Sequence, residues 1–339
     1  MLIVAKDGCS GKSQEGSYLT RPVHNMITTV SRADALLSYP DVCVLIPTLN
    51  EEESIESVIR EFQALGFENI LVADGHSTDA TVAKSEKAGA RIFLQSGSGK
   101  GQALKEVFEV IDEKYILLID GDGTYLPEEA SLLLTPVLKG RADHVVGNRF
   151  GHLKGGALKR LNMFGNKMIN RFFVLIYRVQ LTDILSGYRA FTAEGIRSLE
   201  LSTPGFEIES EITIESVKKG MRIMEVPITY MPRPAGTKTK LNPLRDGLKI
   251  VLTIFRMAKT ENPMFLFGLI GSVFGAVGFL IGLYVARDWF AWRIEHIPLT
   301  ILTAILIIVG IQLFIIGMLG DVMASMHREM MREIYRKNK

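Results

Sequence analysis

Val42-Cys43-Val44-Leu45-Ile46-Pro47-Thr48-Leu49-Asn50-Glu51 sets the architecture of this 339-residue chain. An unbroken apolar run with β-branched residues at Val42, Val44 and Ile46 suits a strand buried on both faces, and the polar residues after Pro47 end it. The same plan then repeats. Glu51–Leu65 carries Ile55, Val58, Ile59 and Phe62 at helical spacing, Asn69–Ala73 is a second strand, and Thr78–Ala88 a second helix. Arg91–Gln95, Tyr115–Ile119 and His144–Gly147 continue the strands, with helices expected over Lys100–Ile111 and near Glu128–Leu138. Such alternation predicts an α/β domain on a Rossmann-like, mostly parallel sheet with helices on both faces.

Ligands of such sheets collect beyond the carboxyl ends of the strands. The residues that stand there share one chemistry. Asn50 and Glu51 follow the first strand, and Asp74-Gly75-His76-Ser77-Thr78-Asp79 the second. Ser96-Gly97-Ser98-Gly99-Lys100-Gly101 follows the third, and Asp120-Gly121-Asp122-Gly123-Thr124 the fourth. Carboxylates beside a nucleotide's phosphates repel them unless a hard divalent cation with oxygen ligands, Mg²⁺ or Mn²⁺, lies between. Asp120 and Asp122 are spaced to hold that metal together with a diphosphate. The Asp-Gly-Asp-Gly run is by itself also an ordinary turn sequence. A calcium loop is excluded, because its sixth and twelfth positions would be Tyr125 and Ser131. Gly11-Lys12-Ser13 is no P-loop, since the first required glycine falls on Lys6.

Together, Pro47-Thr48-Leu49-Asn50-Glu51, Asp74 with Ser77 and Asp79, and Asp120-Gly121-Asp122 resemble the inverting glycosyltransferases of family 2, with the GT-A fold, over about Val42 to Leu241. More narrowly the chain resembles the dolichyl-phosphate sugar synthases. Arg149 in Gly-Asn-Arg-Phe, Asp183-Ile-Leu-Ser-Gly-Tyr-Arg189, and Arg233 with Lys240-Leu241 carry that likeness. The run Val72 to Gln102 is closer still to archaeal enzymes that load the first hexose onto dolichyl phosphate for N-glycosylation.

The resemblance implies roles residue by residue. Asp74 would hold the nucleoside, with Pro47, Asn50 and Glu51 shaping its pocket. Asp120 and Asp122 would bind the metal and the donor diphosphate, and Lys100, Arg233 and Lys240 would also serve the donor. Arg149, Arg160 and Arg189 would grip the acceptor phosphate, and Asp122, Arg149 and Asp183 would be the catalytic group. In the mannose synthases a Gln two residues beyond the acidic motif adds a metal ligand; here that place holds Thr124. The implied donor is a UDP-hexose in preference to GDP-mannose, and the implied acceptor is dolichyl or polyprenyl phosphate. A phosphate monoester has a second pKa of about 6, so it is itself an anionic nucleophile and needs no strong base.

Composition places the remainder. The chain is 47% hydrophobic and 22% charged, with a net charge of +2, and its mean hydropathy is +0.19. Disorder is excluded, and a near-neutral balance offers no basic surface for a nucleic-acid partner. Cys9 and Cys43 cannot form a disulfide scaffold and have no metal-ligand spacing. The apolar excess lies in Met264–Ala286 and Pro298–Gly320, each 23 residues without a charge. Each would reach about 34 Å as a helix, enough to cross a bilayer core of about 30 Å.

Lys and Arg before the first span and after the second predict both ends in the cytosol, with a short loop outside. Residues 1–40 read as an extension, 41–242 as the transferase domain and 243–262 as an amphipathic juxtamembrane helix meeting membrane lipids. Residues 263–321 hold two transmembrane helices, and 322–339 a basic tail. Asn166–Leu181 is a second amphipathic stretch, suited to the membrane surface or to the domain core. A polysaccharide-synthesising or glycan-extending transferase is the rival enzyme, but it calls for a QxxRW-type motif and more spans. A non-catalytic membrane scaffold is the other alternative, against which the intact Asp120 and Asp122 speak.

Overall fold

The computed structural model describes residues 39–153, 160–233, 243–261 and 263–337. The expected extension over residues 1–40 lies almost wholly outside them, as does Lys240. Among the described residues seven strands form one sheet: β1 (Val42–Thr48), β2 (Asn69–Asp74), β3 (Arg91–Leu94), β4 (Tyr115–Leu118), β5 (His144–Leu153), β6 (Arg189–Thr192) and β7 (Ile223–Tyr230). Their order is β3-β2-β1-β4-β6-β5-β7. The β1–β2, β2–β3, β1–β4 and β5–β7 pairs are parallel, whereas β6 runs antiparallel to both β4 and β5. The sheet is therefore mostly parallel but mixed, because β6 runs against both of its neighbours.

The helices between strands are α1 (Ile55–Ala64), α2 (Thr81–Lys87), α3 (Lys100–Val110) and α4 (Ala130–Leu138). After β5 come α5 (Arg160–Tyr177), then β6, α6 (Ala193–Arg197), α7 (Ile208–Lys218) and β7. Side chains of β1 alternate between two cores. Val42, Val44 and Ile46 pack with Ile55, Ile59 and Phe62 of α1; Cys43 and Leu45 pack with Leu104, Val107 and Phe108 of α3. Both faces are thus dry, which is why the strand carries no polar alternation. Burial pushes the Cys43 thiol up to about 12, leaving it an inert core group.

A third core joins the domain to its C-terminal helices α8 (Pro243–Glu261), α9 (Pro263–Trp292) and α10 (Ile297–Lys337). Ile169, Phe173 and Ile176 of α5 pack with Ile214 of α7 and with Ile250 and Ile254 of α8. The Asn166–Leu181 stretch therefore spends one face on the domain. On α8 the inward residues are Ile250 and Ile254, while Leu248, Leu252 and Phe255 face outward. Two helical segments, Pro263–Trp292 and Ile297–Met326, are long and apolar enough to cross a membrane. They are not core helices of a soluble body, because Leu280, Phe290 and Ile297, among others, are more than 60% exposed. They pack on each other through glycine. A Cβ at Gly271 would meet the Gly310 carbonyl oxygen at 2.6 Å, and Gly278 and Gly282 face Ile307 and Thr303.

Candidate active site

The carboxyl ends of β1 and β2 are tied by side chains reaching between their loops. Asn50, at a φ of 51°, donates its N–H to Ser77 Oγ at 2.8 Å and accepts from the Thr78 N–H at 2.7 Å. Glu51 donates its N–H to Thr81 Oγ1 at 2.8 Å. Asp74 is 1% exposed, and its oxygens accept from the Ser77 N–H at 2.8 Å and Ser77 Oγ at 2.5 Å. Pro47 is buried within β1. These residues do converge at one edge, Asn50 through both its backbone N–H and its side-chain oxygen and Glu51 through its backbone N–H. Gln95, at the end of β3 beside Gly75, is buried with its amide oxygen unpartnered among the described residues. It is an additional polar group at this edge, found by its missing hydrogen bond.

The acidic pair follows β4. Asp122 is 5% exposed, and its Oδ1 accepts from the Thr124 N–H at 3.1 Å and Oγ1 at 2.6 Å. Thr124 thus turns toward Asp122 rather than standing as a further ligand beside it. Burial, and then the neighbouring Asp120 charge, raise the Asp122 pKa above the usual carboxylate value. Each aspartate also meets a cation. Lys100 Nζ lies 2.5 Å from Asp120 Oδ1 and 2.5 Å from Glu209 Oε1, and Arg233 Nη2 lies 2.6 Å from Asp122 Oδ2. Burial works against the Lys100 charge, but the two carboxylates outweigh it and raise its pKa. Glu209, from α7, is a member of the site that the sequence did not single out.

Lys100 is delivered by glycine at the start of α3. Gly99 has a φ of +99°, and the Gly101 N–H donates to the Pro204 carbonyl at 2.8 Å. A side chain at either glycine would run into the backbone of Thr203 and Pro204. Gly187 is likewise pressed against the Asp120 carboxylate, where no Cβ fits, while its N–H donates to Tyr125 Oη at 3.0 Å. The Asp183–Arg189 segment is thereby joined to the acidic pair.

Arg149 lies on β5. Its Nε donates to Asp183 Oδ2 at 2.8 Å, its Nη2 to Oδ1 at 2.7 Å, and its guanidinium lies 5.4 Å from the centre of the Tyr230 ring. Burial opposes the charge, but Asp183 beside it raises the Arg149 pKa well above its ordinary value. Asp183, expected among the catalytic residues, is 0% exposed with both oxygens engaged by Arg149. It positions Arg149.

Arg189 departs from its expected role as an acceptor-phosphate ligand. It is 0% exposed and donates to the carbonyls of Ser186 at 2.7 Å and Ile184 at 2.6 Å, and to Thr213 Oγ1 at 2.8 Å. Its guanidinium is a brace inside the Asp183–Arg189 turn, and burial lowers its pKa to about 10. Arg160 opens α5, and its side chain lies outside the described residues.

Two anion-directed centres thus stand side by side: an aspartate pair with Lys100 and Arg233, and a fixed arginine on β5. Residues 43–198 match the family model Glycosyl transferase family 2. Glycosyltransferase AglJ of Haloferax volcanii is 46% identical over 297 residues, covering 87% of this chain and 98% of that protein. A dolichyl-phosphate hexose transferase of the same organism is 31% identical over 228 residues, 66% of this chain and 97% of the relative. Among solved structures, glucosyl-3-phosphoglycerate synthase of Mycobacterium tuberculosis, in complex with Mn²⁺ and UDP-glucose, superposes with a TM-score of 0.53. It is 24% identical and covers 64% of this chain and 78% of its own, which fixes the fold as GT-A. The chain belongs to glycosyl transferase family 2.

Proposed function

We propose that this protein transfers a hexose, with inversion, from a UDP-linked sugar to dolichyl or polyprenyl phosphate, yielding a lipid-monophosphate sugar for protein N-glycosylation. The observation that carries the reading is the neighbouring pair of centres: Asp120 and Asp122 with Lys100 and Arg233 for a donor diphosphate, and Arg149 for a second phosphate. The named dolichyl-phosphate relative supports the acceptor class. The solved structure with Mn²⁺ and UDP-glucose supports the donor class.

The donor set fits a hard divalent cation, Mg²⁺ or Mn²⁺. Both groups are carboxylates, and each already stands against a cation, Lys100 beside Asp120 and Arg233 beside Asp122, so the pocket is arranged around their negative charge. No cluster of three or more His, Cys, Asp or Glu side chains suited to a metal occurs among the described residues. Asp120 and Asp122 would therefore hold the ion with the diphosphate completing its shell. Such an ion neutralises negative charge on the departing nucleoside diphosphate.

The chain's own residues do the rest. Lys100 and Arg233 grip the donor phosphates, and Asp74 with its Ser77 partner fixes the nucleoside edge. Arg149 has five N–H donors, of which two are used by Asp183, so the remainder can hold an acceptor phosphate without the side chain reorienting. That phosphate, anionic near neutral pH, attacks the anomeric carbon in line while the diphosphate departs. Arg160 and Lys240 belong to this proposal through the family resemblance.

Membrane attachment completes the account. Helices α9 and α10 form a transmembrane hairpin with both ends cytosolic, and the outward face of α8, with Leu248, Leu252 and Phe255, lies on the lipid surface. The acceptor headgroup then needs no extraction from the bilayer. Proton NMR of the lipid product tests the reading: an α-linked donor should give a β-linked sugar phosphate, and an α-linked product would overturn inversion.

A further inference from the structure

The cation that stands against Asp120 is supplied by the chain itself. Lys100 Nζ is 2.5 Å from both Asp120 Oδ1 and Glu209 Oε1, in a pocket where the Lys100 and Glu209 side chains are 12% and 7% exposed. Arg233 does the same for Asp122 at 2.6 Å. Three carboxylates and two cations leave one negative charge, so the pair of aspartates is nearly neutralised without any ion. A divalent cation approaching them competes with an ammonium already in contact. Resting on the donor-site reading above, we propose that Lys100 is an internal counter-ion that opposes metal entry at Asp120 until a nucleotide diphosphate arrives. Glu209 is the positioning residue that retains Lys100 when it leaves.

The geometry supports each part of the exchange. Backbone motion is not needed, because Gly101 anchors the loop to Pro204 at 2.8 Å and leaves the long Lys100 side chain to swing. Once Asp120 turns to the metal, Lys100 and Glu209 remain as a neutral buried pair. Without Glu209 the displaced ammonium would be a buried unpaired charge, which is strongly unfavourable. A diphosphate gives Lys100 and Arg233 new anionic partners at the same moment. Metal and nucleotide therefore raise each other's affinity, and by linkage the factor is the same in both directions.

The test uses the full chain in detergent, with free Mn²⁺ followed by electron paramagnetic resonance and UDP affinity by calorimetry. Wild type should bind Mn²⁺ at least tenfold more tightly with saturating UDP than without it. Lys100→Met should tighten Mn²⁺ binding without nucleotide by at least tenfold, yet weaken UDP binding at saturating Mn²⁺ by a similar factor. Lys100→Gln, expected to shift each affinity in the direction that Lys100→Met does, serves if the Met variant does not fold. Glu209→Gln should weaken Mn²⁺ binding without nucleotide. Loss of structure weakens both ligands, so opposite shifts from one substitution are the signature. Unchanged or weaker Mn²⁺ binding by the Lys100 variants overturns the counter-ion role while leaving the donor site standing. Wild type that binds no Mn²⁺ even with UDP overturns the metal reading, and this inference with it.

Discussion

Arg149 and Asp183, 34 residues apart, are joined by three hydrogen bonds: the Arg149 backbone N–H at 3.0 Å, Nε at 2.8 Å and Nη2 at 2.7 Å all reach the one carboxylate. Asp183 in turn receives its own support from β7, donating its N–H to Glu225 Oε1 at 2.8 Å. The arginine is therefore fixed from β5, β7 and the turn before β6 together. Its charge is held in place before any phosphate arrives, which lowers the ordering cost of binding one.

Asp183→Asn should leave Arg149 without a compensating charge. Breaking a buried pair from one side costs on the order of 3 kcal/mol, so the thermal midpoint should fall. The KM for lipid phosphate should rise by more than that for nucleotide sugar. Equal rises in the two constants would move Arg149 out of the acceptor site. Arg149→Lys should behave similarly, because an ammonium cannot replace a bidentate fork.

Asp122→Ala should lower kcat by more than about 100-fold, the scale on which a preorganised charge at the leaving group acts. Steady-state transfer of labelled sugar is the measurement. Activity within about tenfold of wild type, or about 1.4 kcal/mol in barrier, would remove Asp122 from the chemistry.

The strands that the sequence announces most plainly, β1, β2 and β4, are those with both faces dry. They are continuous apolar runs, whereas β3 is exposed or half-buried and ends at Leu94, one residue before the expected Gln95. β6 is hidden because it is only Arg189–Thr192 and begins on a charged residue. β7, Ile-Met-Glu-Val-Pro-Ile-Thr-Tyr, contains a proline and a glutamate that blunt its pattern. At the site, Asp120, Asp122, Lys100 and Arg149 are legible because they follow strands or stand within recognisable motifs. Glu209 is not. It lies in a helix that also carries Glu211 and Glu215, and Glu211 is spent on Ser202 and Thr203. Only the tertiary position separates them. Arg189 misleads for the converse reason, since its carbonyl partners leave no trace in the sequence.

His144 gives the domain a pH signature. It is 0% exposed and stacked on Phe191, with Nδ1 3.0 Å from Ser216 Oγ and Nε2 3.4 Å from Arg189 Nη1. Burial, and then the Arg189 charge, hold its pKa well below 6.5. The unfolded chain takes up a proton near 6.5, so below that pH the unfolded state binds more protons than the native state. Stability should therefore fall as the pH is lowered below about 6.5, by up to about 1.4 kcal/mol per unit for this one group. His144→Gln should flatten that part of the fall in thermal midpoint between about pH 7 and pH 5. An unchanged slope would contradict the neutral, buried assignment.

Gly271 and Gly268 should respond differently to the same change. A Cβ at Gly271 meets the Gly310 carbonyl, whereas one at Gly268 meets nothing within 4 Å. Gly271→Ala should destabilise the hairpin by about 1–3 kcal/mol, read as a lower thermal midpoint in detergent, and Gly268→Ala should be nearly silent. Equal effects would contradict the close crossing of α9 and α10.

The most direct measurement of the central claim is mass spectrometry of the lipid formed when the purified full chain, in vesicles, meets dolichyl phosphate, Mg²⁺ or Mn²⁺ and a panel of nucleotide sugars. A dolichyl monophosphate hexose should appear with a UDP-hexose and disappear in Asp122→Ala. A diphosphate-linked lipid, or no lipid-linked sugar with any donor in the panel, would contradict it.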